Sequence, residues 1–421
     1  MYIKKIVLKN IRCFEDLEIE FDLSGKTPPW TVIVGDNATG KSTLLRSIAL
    51  GLCDEASAAG LLKESDSGHV RFGEKEGKIV IVLVRSLEHL LDEQYEIETT
   101  IEHFKTKAGY FERVRQKTRP SEKSPWDNLF AAGYGAGRGT SGTGDIAGYS
   151  VINAVYNMFN YFEGLQNPEL TILRLRDPTL QTEVERVLKE LMKVGQIKLS
   201  RSGIVVNGPW KKNMPLRDLA DGYKSTFLWV TDFLGWAFSF DETVKSASQI
   251  EGIVIIDELE QHLHATWQRI VIERLKKAFP KVQFFAATHS PFIAASVGKL
   301  GLNGSADKLI LCEISEDTGQ VQVEELETMQ GYRFEQVLAS RAFKYLCEEN
   351  PALEWSVKRA SELADKGKHR SEDEEKEYRR LKEELKQSPF LGADTPIERE
   401  IEAEELKRLK DLEAKSGNDT D

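Results

Sequence analysis

The chain opens in alternation. Tyr2 to Asn10 and Asp16 to Phe21 read as strands; in the second, Leu17, Ile19 and Phe21 are set between acids, the period of a half-buried strand. Trp30 to Val34 reads as a short apolar strand ending at Gly35. The period then becomes helical from Ser42 to Leu52, with Leu44, Leu45, Ile48 and Leu52 on one face. Ile79 to Val84 and Tyr95 to Ile101 supply two more strands. Residues 105–150 read as a long surface excursion with a glycine-rich patch from Gly133 to Gly148. Ser150 to Gly164 and Thr179 to Val194 are expected as helices, Gln196 to Val206 as a hairpin and Lys224 to Phe240 as an apolar helix. Gly252 to Ile256 is continuously apolar, as in a strand buried on both faces. A helix from Thr266 to Ala278 and strands at Val282 to Ala286, Lys308 to Ile314 and Val321 to Glu325 complete the pattern. Strands alternating with helices predict an α/β fold: a mixed sheet, antiparallel toward the N-terminus, with helices on both faces.

Past Gly331 the character changes. Residues 366–421 carry 13 Lys/Arg and 17 Asp/Glu, with Tyr378, Leu381 and Leu385 on one helical face and Ile397, Ile401, Leu409 and Leu412 on another. They read as two charge-paired helices, either plainly solvated or docking a second copy or partner. The expected division is 1–104 and 201–330 as two parts of one domain, 105–200 as a helical lid and 331–421 as an assembly region.

Over 421 residues the formal charge is −11, so the surface as a whole does not advertise nucleic-acid binding. Four scattered cysteines without a Cys-x-x-Cys exclude a disulfide scaffold and a cysteine zinc site, and suit a reducing cytoplasm. The longest apolar run, Phe227 to Phe240, is interrupted by Thr231 and Asp232 and is too short to span a bilayer; no membrane partner is expected.

Four segments carry chemistry. Gly35-Asp36-Asn37-Ala38-Thr39-Gly40-Lys41-Ser42 fits G-x-x-x-x-G-K-[ST] between a strand and a helix, the context in which backbone N–H groups cradle a phosphate. Lys41 supplies a point charge for the β- and γ-phosphates and Ser42 a hydroxyl ligand for Mg²⁺. Asp257 and Glu258 end a buried strand, Asp257 suited to hold Mg²⁺ and Glu258 to activate water. His289 follows 32 positions after Asp257, a strand–helix–strand span that puts it on the neighbouring strand tip, near the γ-phosphate. Leu219-Ala220-Asp221-Gly222-Tyr223-Lys224-Ser225 opens a helix whose N-terminus is an anion site better suited to a second subunit's phosphate. Two matches are set aside: Gly137 to Gly142 fits G-x-G-x-x-G but without a clear preceding strand, and His262 and His264 point apart on a helix.

Together these segments resemble the ABC-type ATPase heads of the SMC and RecF class. Ile6-Val7-Leu8-Lys9-Asn10-Ile11-Arg12-Cys13-Phe14 is similar to their first strand and turn, and Asp257-Glu258-Leu259-Glu260-Gln261-His262-Leu263-His264 to their D-E-P-E-x-x-L-H run, with Leu259 in place of proline. The resemblance implies ATP and Mg²⁺ as ligands. It implies contacts to nucleotide from Arg12, Gly35, Asn37, Ala38, Thr39, Gly40, Lys41, Ser42 and Thr43, and catalytic roles for Lys41, Glu258 and His289. It also implies that two heads form a homodimer around two ATPs, with Gly222, Lys224 and Ser225 acting in trans; Ala220 replaces the usual signature serine. Only 180 positions separate Lys41 from Asp221, without sustained heptads, so the insertion is a compact lid and not a coiled coil. Phe130 to Arg138 and Gly331 to Ser340 look like segments of anti-phage defence ATPases of the Septu PtuA and retron-associated kind. That likeness implies a regulator that controls a separately encoded effector nuclease, with Arg138 either reaching nucleotide or the facing subunit, or lying on the surface. The competing expectation is a RecF-like repair ATPase that binds DNA directly.

Overall fold

The computed structural model describes residues 1–24, 28–64, 68–87, 94–106, 109–139, 148–200, 203–208, 212–298, 307–315, 318–329, 332, 334–338, 340–343, 351–366 and 370–386. The opening alternation forms a hairpin, β1 (Tyr2–Ile11) and β2 (Phe14–Glu20), with Leu8 opposite Leu17 and Ile6 opposite Ile19. The apolar run β3 (Thr31–Val34) leads through a glycine loop into α1 (Lys41–Leu52), and α2 (Glu55–Lys63) follows, capped by Asp54, which accepts from the Ser57 amide. β4 (Glu76–Val84), β5 (Gln94–Thr106) and β6 (Gly109–Arg119) extend the hairpin into a five-stranded antiparallel sheet of order β2-β1-β4-β5-β6.

The second sheet contains β3, has β7 (Ala131–Tyr134) at one edge and runs in the order β14-β13-β3-β12-β11-β7. Between β7 and its neighbour in space, the chain makes α3 (Val151–Val155), α4 (Pro168–Arg174), α5 (Pro178–Met192) and a small sheet of β8 (Gln196–Ser200), β9 (Gly203–Asn207) and β10 (Met214–Pro215). It then runs through the long α6 (Asp221–Phe240). β11 (Gly252–Ile256), α7 (Ala265–Gln268), α8 (Val271–Ala278), β12 (Val282–Ala287), α9 (Pro291–Ala294), β13 (Lys308–Ile314), β14 (Val321–Leu326) and α10 (Phe334–Leu338) follow. All pairings in this sheet are parallel except β13 with β14. This is the expected α/β architecture, with the antiparallel section forming a sheet of its own.

One core joins the two sheets. Leu44, Leu45 and Ile48 of α1 pack with Ile6 and Leu8 of the first sheet and Ile253, Ile255 and Phe285 of the second. Burying each such side chain contributes about 1.5–3 kcal/mol. Gln283, fully buried in β12, adds a polar clasp: its amide accepts from the Ile3 N–H (2.7 Å) and donates to the Ile3 carbonyl (3.0 Å). No helix among the described residues is long and apolar enough to cross a membrane.

Three expectations need correction. Residues 105–150 are not only a surface excursion, because they contain β6 and the buried β7. The strand β6 escapes notice because its outward row is Phe111, Arg113, Arg115, Lys117 and Arg119, and its inward row holds Glu112 and Gln116. Polar alternation carries little strand signal. The helix expected from Ser150 to Gly164 stops at Val155, followed by one tight turn, because Asn157 spends its amide on the main chain of Gly135, Gly137 and Glu163. The helix expected from Thr266 to Ala278 is two, broken at Arg269 and Ile270.

The chain divides into two compact units, Met1–Val337 and Leu338–Asp421. In the second, α11 (Pro351–Lys366) and α12 (Glu372–Lys386) enclose Ala360, Leu363, Tyr378, Leu381 and Leu385. Arg359 pairs with Glu377 (2.9 Å) and Lys366 with Glu374 (2.6 Å). The apolar positions at 397–412 lie outside the described residues.

Candidate nucleotide site

The loop from Gly35 to Gly40 needs three left-handed residues in six, Gly35 (φ 142°), Ala38 (φ 64°) and Gly40 (φ 94°). A Cβ on Gly35 would sit 2.0 Å from the Cys312 carbonyl oxygen, and one on Gly40 would sit 2.5 Å from Cys13 Sγ, so both positions exclude side chains on space as well as conformation. Asp36, Asn37 and Ala38 form the exposed rim, while Thr39 is buried and donates to the Asp36 carbonyl (2.8 Å). Lys41 Nζ donates to the carbonyls of Gly35 (2.8 Å) and Asp36 (2.6 Å), which holds the ammonium inside the loop. Burial lowers its pKa, opposed by Cys312, Asp257, Asp36 and Glu260. Ser42 and Thr43 are half-buried at the start of α1.

The turn between β1 and β2 lies against this loop. Arg12 (φ 47°) donates from Nε to the Gly68 carbonyl (3.1 Å), and the Cys13 thiol and Thr43 hydroxyl bond to one another. Burial and the neighbouring Arg46 lower the Arg12 pKa. Burial, helped by the same two arginines, holds the His69 imidazole neutral with a pKa of about 3.

Strand order brings the remaining candidates together. β12 lies between β3, which leads into the glycine loop, and β11, which ends at Asp257 and Glu258. The Asp257 carboxylate is buried and accepts from the Glu258 amide (3.1 Å); Glu258 is half-buried, with a left-handed backbone (φ 49°). His289 follows β12 and is exposed. Its main-chain N–H donates to Glu260 Oε1 (2.5 Å), and the Thr288 hydroxyl donates to Glu260 Oε2 (2.6 Å). Glu260 therefore ties the acid-bearing turn to the histidine turn, a role that nothing in the local sequence announces.

Arg138 is not a surface residue. It is 7 % exposed, and its Nη2 donates to the carbonyls of Asp257 (3.1 Å) and Glu258. The G-x-G-x-x-G match that contains it does have a preceding strand, β7, although 140–147 lie outside the described residues. His264 caps α7, its Nδ1 accepting from the Thr266 amide (3.3 Å).

The start of α6 is built differently. Ala220 is its N-cap and makes no side-chain cap bond. Gly222 is pressed against the chain at His262, where a Cβ would lie 2.3 Å from the carbonyl oxygen, and Tyr223 packs edge-on against Trp267 with centroids 4.6 Å apart. Lys224 reaches back to Asp221 (3.4 Å). Ser225 differs from its neighbours: it is 5 % exposed and lines a small cavity with Arg138, Thr226 and Trp229, so its hydroxyl is packed within the head.

Comparison with known proteins agrees with this geometry. Residues 5–131 match the family described as "AAA domain", and residues 196–295 the one described as "AAA domain, putative AbiEii toxin, Type IV TA system". These matches and the relatives below define the class: the chain resembles the ABC-type ATPase heads of the SMC and RecF class, and among them those of anti-phage defence. It is 28 % identical to the "Septu protein PtuA" of Bacillus mycoides over 81 % of this chain, and spans only 45 % of that relative. It is also 21 % identical to the "Retron Vc95 probable ATPase" of Vibrio cholerae, over 70 % of this chain and 72 % of that one. Among solved structures, the SMC head domain from Thermotoga maritima aligns with 78 % of this chain and all of its own length, at 16 % identity and a TM-score of 0.43.

Proposed function

We propose that the chain is an ATP-hydrolysing regulator of an anti-phage defence system, in which two heads close around ATP and govern a separately encoded effector nuclease. The observation that carries the ATPase reading is the convergence of the Lys41 loop, the Asp257–Glu258 turn and the His289 turn on the ends of three adjacent strands. The loop amides from Asn37 to Thr43 and the N-terminus of α1 are suited to the phosphates, with Arg12 beside them. Lys41, already bonded to two carbonyls, can exchange them for phosphate oxygens.

Ser42 and Asp257 offer hard oxygen donors of the kind Mg²⁺ prefers, so these residues fit the ion. When bound it would supply charge neutralisation at the phosphates. Glu258 would take the proton from the attacking water, and His289 would donate to the γ-phosphate. The resulting change is transfer of the terminal phosphoryl group of ATP to water, giving ADP and phosphate. Gly222 and Lys224 would cap the phosphate of a facing head, with Ser225 supporting them from within. The defence assignment rests on the relatives' kinship.

Glu258→Gln should bind ATP with near-wild-type affinity, lose roughly 10²–10⁴-fold in turnover and accumulate as a dimer with ATP and Mg²⁺. Turnover and light scattering of the two purified chains measure this. Wild-type turnover in the Gln variant would remove Glu258 from the reading, and a wild-type chain that binds no ATP would end it. Purifying the Gln variant from its native host and identifying what accompanies it tests the effector: a stoichiometric nuclease supports the regulator, and recombination proteins would replace it with a repair function.

A further inference from the structure

Arg138 is a cation placed where burial disfavours one. It stands just past β7, the strand beside β11, with 7 % of its surface exposed. A guanidinium at that depth is costly unless its donors are used. Burial draws its pKa down to about 10 even though Asp257, Glu260 and Glu258 oppose the shift. One nitrogen, Nη2, donates to the carbonyls of both Asp257 and Glu258, whereas Nε has no partner among the described residues.

Those two carbonyls flank the backbone of Glu258, whose φ of 49° L-residues seldom adopt. A donor shared between successive carbonyls fixes the orientation of the peptide planes on either side of the Glu258 Cα. That in turn sets the direction in which the Glu258 side chain leaves the main chain.

The segment that delivers Arg138 is itself clamped. Asn157 accepts from the Gly135 amide (2.9 Å) and donates to the carbonyls of Gly137 (2.8 Å) and Glu163 (2.6 Å). Gly135 and Gly137 have no room for a Cβ, which would meet the Asn157 and Tyr161 carbonyl oxygens at 2.6 and 2.5 Å. On its other side Arg138 lines a cavity with Ser225 and Thr226 at the start of α6.

We propose that Arg138 is a positioning residue: it pins the Asp257–Glu258 main chain so that the Glu258 carboxylate is aimed at the attacking water, and Asn157 holds Arg138 to that task. The proposal rests on the ATPase reading above. It separates from that reading because it concerns turnover and leaves ATP binding alone.

The test is steady-state ATP hydrolysis by the full-length wild-type, Arg138→Met and Arg138→Lys chains, with melting curves and ATP affinities for each. Arg138→Met should lower kcat on the order of 10²-fold, the effect of a slightly misplaced catalytic group, with KM unchanged. Arg138→Lys, which keeps one charged donor, should recover part of that loss. Wild-type kcat in the Met variant overturns the proposal, as does a loss confined to ATP affinity or melting temperature. Should Arg138→Met not fold, Arg138→Lys decides alone, since a folded Lys variant with wild-type kcat overturns it and a reduced kcat at unchanged KM supports it. Absence of turnover in the wild-type chain itself would instead refute the ATPase reading.

Discussion

The ends of β3, β12 and β11 and the start of α6 both present backbone N–H groups and charge, yet they are finished to different degrees. At the strand ends every feature is braced from within the chain. Lys41 sits on two carbonyls, Asp257 accepts the next amide, Glu260 ties in Thr288 and His289, and Arg138 pins the acid-bearing turn. At the start of α6 the cap position is an exposed alanine without a cap bond, and Lys224 reaches only Asp221. This helix of twenty residues has no side-chain acceptor at its cap; the Tyr223 and Lys224 amides donate to the Ala220 carbonyl (2.9 and 3.1 Å). On the proposed reading, the first region would do the chemistry and the second would receive a facing head's phosphate.

The sharpest way to break this contrast is Lys41→Ala. If the strand ends hold the phosphates, the substitution should abolish measurable ATP binding and lower hydrolysis by at least about 10³-fold, since it removes the loop's only ammonium. Fluorescent-nucleotide titration measures it. A chain that still binds ATP through the start of α6 alone would reverse the roles assigned to the two regions.

The second test concerns how α6 is anchored. Asp232 lies at its buried middle, accepting from the Tyr134 hydroxyl (3.0 Å) on β7 and from the Gln166 amide (3.1 Å) just before α4. Burial raises its pKa from 3.8 to about 6, against the hydrogen bonds of Gln166, Tyr134 and Trp236. A carboxyl whose pKa is raised in the folded chain favours folding most below its unfolded value and loses that contribution as pH rises through the folded one. Between pH 4 and pH 7 the Asp232 contribution should therefore fall by up to about 3 kcal/mol. Urea unfolding of wild-type and Asp232→Asn chains at pH 4.5, 5.5 and 7 should show the stability difference shifting in favour of Asn as pH rises. A difference independent of pH would mean that the Asp232 carboxyl titrates alike in the folded and unfolded chain, so that its burial does not raise its pKa.

The sequence disclosed the two regions unequally, for a physical reason. A phosphate loop and a strand ending in two acids are made of neighbours, so Gly35 to Ser42 and Ile253 to Glu258 could be read directly, and strand–helix–strand spacing was enough to place His289. The roles of Arg138, Glu260 and Asn157 were not legible, because each depends on partners brought in by folding. Arg138 meets its carbonyls 119 and 120 positions away, and Asn157 reaches back 20 and 22. The strand β7 was missed because Ala-Ala-Gly-Tyr lacks β-branched residues, and its burial comes from lying beside β11. The inward direction of Ser225 was not legible either, because it follows from where the helix packs.

The smallest expected effect would sharpen the contrast most. Ala220→Ser supplies the hydroxyl that the start of α6 lacks. In an isolated head a serine N-cap should accept from the amide of Gly222 or Tyr223 and raise stability by about 1 kcal/mol, the ordinary gain over alanine at such a position. Thermal melting without nucleotide measures that term. With ATP and Mg²⁺ a second effect should appear only if a facing phosphate meets this helix, because the same hydroxyl can donate to it. The dimerisation constant of the Glu258→Gln chain carrying Ala220→Ser should then tighten by severalfold, a change of roughly 1 kcal/mol. If the cap stabilises the monomer and leaves ATP-dependent dimerisation unmoved, the bare start of α6 is only an uncapped helix. If both move, alanine at this position weakens the closed dimer, and the chain is tuned to open readily.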